Sequence, residues 1–240
     1  MTHSLDDHLA AYQDDFAYAF DNDIILNWYP RQLIAQTPAS ASVLELGIGH
    51  GLTCHRFAEY FDTYEVIDAS QAVLDQFRRN YPGSKARTHK VYFEDFAPGR
   101  TYDLIVMGFV LEHVEDPGAI LRRYKAFLAE GGTLAIAVPN AQSLHRRFGN
   151  AAGLLPDMMA LGDGDRMLGH LRLFTVDTLS ALLDGAGYEV SAKEGIFLKP
   201  FTTAQLKSLA LPATTLDAMC EVGRDYPELC AGLLFKARAR

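Results

Sequence analysis

The apolar residues of this chain change period along its length, and the changes mark its elements. Residues 5–20 mix acidic and aromatic side chains at helical spacing. Residues 24–36 continue in the same manner, with Pro30 marking either a kink or a junction between two helices. The breaker-rich TPASAS, residues 37–42, ends that pattern. Short apolar runs then alternate with amphipathic stretches. Strands are predicted over residues 43–46, 64–67, 90–93, 102–110 and 133–139. The fourth is apolar almost throughout, as a strand buried on both faces must be. Helices are predicted over residues 52–60, 71–80 and 117–128, the last with Pro117 in its first turn and Gly131 and Gly132 beyond its end. Strand and helix in alternation imply a parallel sheet wrapped by helices.

After residue 140 the rhythm breaks. Residues 140–169 hold Gly149, Gly153, Gly162, Gly164 and the Met158–Met159 pair, directly after a strand end, where open α/β sheets bind ligands. This segment reads as a lid or substrate-shaping insert. A helix over 175–185 follows, then a final strand pair over 188–198 and 233–237, with a mostly helical stretch over 202–224 between them. The expected organisation is one domain over 1–240. It divides into an N-terminal helical cap (1–40), a ligand-binding core (41–140), a lid (141–174), and C-terminal helices with the last strand pair (175–240).

With 240 residues, 49% of them apolar, the chain can bury a sizeable core. Its formal charge of −8 argues against a nucleic-acid backbone as partner. No apolar run approaches the roughly 20 residues of a membrane span. The opening MTHSLDDHLA, with two Asp and no apolar run, does not read as a secretory signal, so a cytoplasmic protein, monomer or homodimer, is expected. Cys54, Cys220 and Cys230 are odd in number and unevenly spaced, which reads as buried free thiols. No local ligand pair supports a metal, and none is expected.

Candidate chemistry begins at VLELGIGHGLTC, residues 43–54. A strand-to-helix turn brings backbone close to a ligand only where no Cβ intervenes, and Gly47, Gly49 and Gly51 remove three of them. The following helix N-terminus adds free N–H groups and a partial positive charge. The spacing is G-x-G-x-G, not the G-x-G-x-x-G of dinucleotide binders, which weakens a nicotinamide reading. Asp68 closes the second strand about 20 residues on, where a carboxylate accepts from ribose hydroxyls. Glu94, Asp95 and Phe96 follow the third strand and offer polar acceptors and an aromatic face to an adenine.

These residues, in this order, resemble the class I S-adenosylmethionine-dependent methyltransferases of the small-molecule type, close to methyltransferase types 11 and 12. The resemblance rests on VLELGIGHG, VIDAS, FEDF, YDLIVMGFVLEHVEDP and GGTLAIAVPN, with GHLRLFTVDTLSALLDGAGYEV further on. It implies a Rossmann-like, doubly wound, seven-stranded, mostly parallel sheet with N-terminal helices and a lid after strand five. It implies S-adenosyl-L-methionine as cofactor and S-adenosyl-L-homocysteine as product. Glu45 would lie near the methionine amine, and Gly47, Gly49 and Gly51 along the methionyl and ribose part. Asp68 would take the ribose hydroxyls, with Ala69 and Ser70 beside the adenine. Asp95 would receive the adenine amino group, with Phe96 donating from its backbone. Phe109 and Val110 would lie near the sulfonium, and Tyr29 would cover the cofactor. Relatives often carry a polar residue where Gly108 and Phe109 stand, so an apolar wall is expected here.

Methyl transfer from a sulfonium needs no acid, because the leaving group is neutral. It needs the acceptor held at about 3–3.5 Å, and a base where the acceptor carries a proton. His113, His145 and His170 are the candidate bases, and Arg146 and Arg172 the candidate grips for an anionic acceptor. Each has a plainer reading, as a structural histidine or a surface ion pair. Lys199 reads as structural or solvated. The expected activity is methyl transfer to O or N of a small polar metabolite, such as a biosynthetic intermediate or a sugar. The alternatives are a non-catalytic module that binds the same cofactor and, more weakly, an NAD-dependent oxidoreductase.

Overall fold

A computed structural model describes residues 19–240. The expected helix over 5–20 therefore lies almost wholly outside the described residues. In chain order the elements are α1 (Ala19–Gln36), β1 (Ser42–Leu46), α2 (Leu52–Tyr60), β2 (Thr63–Asp68), α3 (Gln71–Asn80), β3 (Arg87–Lys90), β4 (Tyr102–Gly108), α4 (Pro117–Lys125) and β5 (Leu128–Pro139). Then come α5 (Leu144–Ala151), α6 (Asp163–Met167), α7 (Val176–Gly185), β6 (Tyr188–Ile196), α8 (Thr203–Ser208), α9 (Ala213–Gly223) and β7 (Gly232–Ala239).

The strands form one seven-stranded sheet in the order β3-β2-β1-β4-β5-β7-β6. β1 to β5 run parallel, and β7 enters antiparallel between β5 and β6. Strand order reverses beside β1, so the C-terminal ends of β1 and β4 flank a crevice of the kind that binds ligands in open sheets.

Strand alternation divides the core in two. Leu44, Ile105, Met107, Leu134 and Phe235 face α4 and α7, while Val43, Leu104, Val106, Ala135 and Leu234 face α1, α2 and α3. β1 and β4 are buried on both faces, which is why their sequences are nearly continuous apolar runs. All three cysteines are buried free thiols, as expected.

Several boundaries differ from the sequence reading: β4 ends at Gly108, α4 ends at Lys125, and β5 begins at Leu128, so Gly131 and Gly132 lie inside that strand. Pro30 lies within a single helix, α1, and does not separate two. The third strand is Arg87–Lys90, not 90–93: Val91 and Phe93 mimic a strand period but belong to the turn after it. Its polar sequence suits a sheet edge. The last strands are Tyr188–Ile196 and Gly232–Ala239.

α1 is fastened by a buried ion pair. Lys199 Nζ donates to Asp21 Oδ2 and, at 2.9 Å, to Thr203 Oγ1, and the Thr203 hydroxyl donates to Asp21 at 2.6 Å. Lys199 is thus structural. The segment between β5 and α7 contains α5, α6 and intervening turns. Arg146 ties it together by donating to the carbonyls of Met158 (2.8 Å) and Ala160 (2.7 Å).

Candidate active site

The turn after β1 has left-handed backbone at each glycine, with φ of 80° at Gly47, 52° at Gly49 and 80° at Gly51. A side chain in that region costs about 1–2 kcal/mol before any clash. At Gly51 it would also clash, because a Cβ would lie 2.7 Å from the Phe77 ring. A Cβ at Gly47 would lie 3.4 Å from Val110 and 3.9 Å from Phe93, so the turn rests against the loops that follow β4 and β3. Phe93 therefore borders the turn, a placement hidden when it is counted as a strand residue.

Glu45 lies one step below the turn, buried on β1 and accepting from the Tyr64 hydroxyl. Burial pushes its carboxyl up to about 8, against hydrogen bonds from Tyr64 and Cys54. Asp68, at the end of β2, binds the turn directly. Its Oδ2 accepts from the Ile48 N–H at 3.0 Å and its Oδ1 from the Ser70 N–H at 2.9 Å. These two bonds fix the carboxylate against the turn.

The adenine side differs from expectation in detail. Ala69 is half-buried, and the Ser70 hydroxyl caps α3 by accepting from the Val73 N–H at 3.2 Å. Glu94 and Asp95 are exposed on the turn after β3. The N–H groups of Asp95 and Phe96 both donate to the Tyr92 carbonyl at 3.1 Å, so the Phe96 N–H is already committed. The Phe96 ring packs into the core beside His89 and Phe127 instead of presenting a face to a ligand. Phe93 lies on the glycine side, as do Phe77 and Tyr81.

Tyr29 joins this side to β4. It is buried to 1% exposure, its hydroxyl is 3.2 Å from Thr53 Oγ1, and its ring meets Phe109 edge-on at 5.9 Å. A Cβ at Gly108 would overlap that hydroxyl, so the glycine makes room for the tyrosine. Phe109, with φ of 58°, holds a left-handed conformation unusual for a bulky residue. Burial raises the Tyr29 phenol well above its ordinary value, and the charges of Glu45 and Glu112 add to the rise. Tyr29 therefore stands between the glycine turn and the acidic residue that follows β4.

That residue, Glu112, escaped the sequence reading, which stopped at its neighbour His113. Its side chain is 0% exposed, and neither carboxylate oxygen has a hydrogen-bond partner among the described residues. Burial pushes it up to about 7, offset in part by His170 and Arg172. His113 and His170 meet edge-on at 4.8 Å, and His170 Nδ1 is 3.2 Å from Asp165 Oδ1. Two of the three candidate histidines thus come together from segments 57 residues apart in sequence. His145 is elsewhere: its Nδ1 is 3.2 Å from Ser143 Oγ and its N–H donates to the Lys199 carbonyl. Burial, then Lys199 and Arg146, lowers it to about 3, which leaves it neutral and a poor base at pH 7.

The two candidate arginine grips are engaged with the chain itself. Arg172 Nη1 donates to the carbonyls of Leu111 (3.0 Å) and Val114, and Nη2 to Glu115 (2.9 Å). It clamps the turn that carries Glu112 and His113. Arg146 serves the β5–α7 connection in the same way and lies 3.9 Å from Asp165. Two clefts, of about 480 and 490 Å³, open at the opposite edge of the sheet, around Asp103 and Lys236 and around Glu65 and Arg87. Neither includes a candidate residue.

Known proteins are similar to this chain in sequence and fold. A family model described as a methyltransferase domain matches residues 21–193. A trans-aconitate 2-methyltransferase of Variovorax paradoxus (strain S110) is 32% identical over 144 residues, covering 57% of this chain and 55% of the relative. The chain spans about half the length of three trans-aconitate 2-methyltransferases that it matches. Among solved structures, the 1,6-didemethyltoxoflavin N1-methyltransferase of Burkholderia thailandensis superposes with a TM-score of 0.62 at 17% identity, over 97% of this chain and 85% of its own. The N-methyltransferase NodS of Bradyrhizobium japonicum WM9, bound to S-adenosyl-L-homocysteine, gives 0.56 at 16% identity over 94% and 89%. No helix among the described residues is long and apolar enough to cross a membrane.

Proposed function

The chain belongs to the class I S-adenosylmethionine-dependent methyltransferases, and on that premise we propose that it methylates an O or N atom of a small polar metabolite. The observation that carries this reading is the Asp68 carboxylate, hydrogen-bonded to the left-handed glycine turn and aimed from the end of β2. Bare backbone at Gly47 and Gly49, with a carboxylate beside it, fits an adenosyl group whose sugar hydroxyls donate to Asp68. When bound, S-adenosylmethionine supplies an electrophilic methyl group on a neutral leaving group.

The rest is the work of the chain. Tyr29 and Phe109 close the crevice from the α1 side with an apolar edge that excludes water. Glu112, His113 and His170 form the polar side, where the acceptor is oriented and its proton is taken up. Arg172 holds that side rigid. The partial likeness to trans-aconitate 2-methyltransferases makes carboxylic acids the first acceptors to assay.

Calorimetric titration with S-adenosylmethionine tests the cofactor half. Asp68→Asn should weaken binding about 10–100-fold, the worth of charge-assisted hydrogen bonds. Transfer of a labelled methyl group to a panel of acids, alcohols and amines tests the acceptor half. Absence of cofactor binding by folded wild type would overturn the reading.

A further inference from the structure

We propose that Glu112, His113 and His170 bind one divalent transition-metal ion. Each residue offers a ligand atom, and the three atoms lie within 4.8 Å of one another. Two imidazole nitrogens and one carboxylate oxygen suit Zn²⁺, Co²⁺ or Fe²⁺ better than Mg²⁺ or Ca²⁺, which prefer all-oxygen shells. Three protein ligands leave coordination positions open to water or another ligand.

The independent observation is Glu112 itself. A fully buried carboxylate with no hydrogen-bond partner among the described residues carries a desolvation cost that only a cation or a proton offsets. A cation bound here supplies the missing partner. The surroundings fit as well. Asp165 Oδ1 stands behind His170 Nδ1 at 3.2 Å, the arrangement that fixes a ligand histidine and turns its other nitrogen toward an ion. Asp165 is held in turn by the Gly162 N–H, which donates to its Oδ2 at 2.8 Å. The Leu171 N–H donates to the Glu112 carbonyl at 2.8 Å, and the adjacent Arg172 clamps the same turn, so the two ligand-bearing segments are joined by backbone.

The metal site stands on these residues alone. A role for the ion in holding the methyl acceptor rests on the proposed methyl transfer. Overlooking the site from sequence is understandable, since 57 residues separate His113 from His170 and no short ligand pair announces it.

The test uses the full chain stripped with a chelator. Titration with Co²⁺ should give one equivalent of saturable binding with visible d–d absorption, and Zn²⁺ should displace it. Wild-type Tm should rise with Zn²⁺. Glu112→Gln, which removes the buried acid without changing its shape, should bind Co²⁺ at least 10-fold more weakly and lose the Zn²⁺ rise in Tm. His170→Ala should do the same, and Asp165→Asn should weaken binding about 10–100-fold. Absence of saturable binding overturns the proposal. So does one-equivalent binding that persists unchanged in both Glu112→Gln and His170→Ala, which would place the ion at other side chains. S-adenosylmethionine titration of the same stripped sample separates the two readings. Cofactor binding without metal binding sinks the metal site and leaves the methyltransferase reading intact.

Discussion

The two sides of the crevice are built by opposite means. The side formed by β1 and β2 is backbone: three left-handed glycines, their turn pinned by one carboxylate and resting against Val110 and Phe93. The side after β4 is side chain: Glu112 and His113 from one turn, His170 and Arg172 from another, Asp165 from α6. The first holds its acid, Asp68, by backbone hydrogen bonds, whereas the second keeps a buried acid without a hydrogen-bond partner among the described residues. On the proposed function, a cofactor common to the family meets rigid local backbone, and a variable acceptor meets charged groups gathered across the fold.

That contrast breaks first at the clamp on the acceptor side. Arg172→Ala removes charge-assisted bonds to three carbonyls and should cost about 2–4 kcal/mol in urea denaturation. Cofactor binding should change far less. A loss below about 0.5 kcal/mol would mean that the guanidinium is free for other work. Gly108→Ala comes next, because its Cβ overlaps the Tyr29 hydroxyl. It should cost about 1–3 kcal/mol, and Tyr29→Phe in the same chain should restore part of the loss. Additive effects would show that the two residues do not meet.

A third effect is in pH. Glu45 and Glu112, raised from 4.5 to about 8 and about 7, hold protons in the folded state that the unfolded chain has released. Stability should therefore fall as pH rises from about 4.5 to 8, by at most ~1.4 kcal/mol per pH unit for each group. His145, lowered from 6.5 to about 3, acts in the opposite direction: its contribution is present above pH 6.5 and lost as pH falls toward 3. Because two acids outweigh one histidine, denaturation midpoints should fall from pH 4.5 to 8, and Glu112→Gln should flatten that fall below about pH 7. A fall unchanged in that variant would show that Glu112 titrates as an ordinary acid.

What sequence could reveal follows the same division. The alternating elements, the glycine turn and Asp68 were legible because each depends on neighbours a few residues away, and backbone geometry enforces their types. The third strand was misplaced because Val91 and Phe93 carry a strand-like period outside any strand. That error hid the position of Phe93, which borders the glycine turn, while the Phe96 ring packs into the core. Arg146 and Arg172 looked like anion grips, but nearby carbonyls claim them, and residue type alone does not say which acceptor a guanidinium will find. Glu112 was not legible because its burial comes from the segment around His170, more than 50 residues away.

Calorimetric titration of S-adenosylmethionine into wild type, Gly49→Arg and Glu112→Gln tests most directly whether backbone alone builds the cofactor side. Gly49→Arg should abolish binding, while Glu112→Gln should retain it within about 3-fold of wild type. Retained binding in Gly49→Arg, or its loss in Glu112→Gln with the fold intact, would contradict that division of labour.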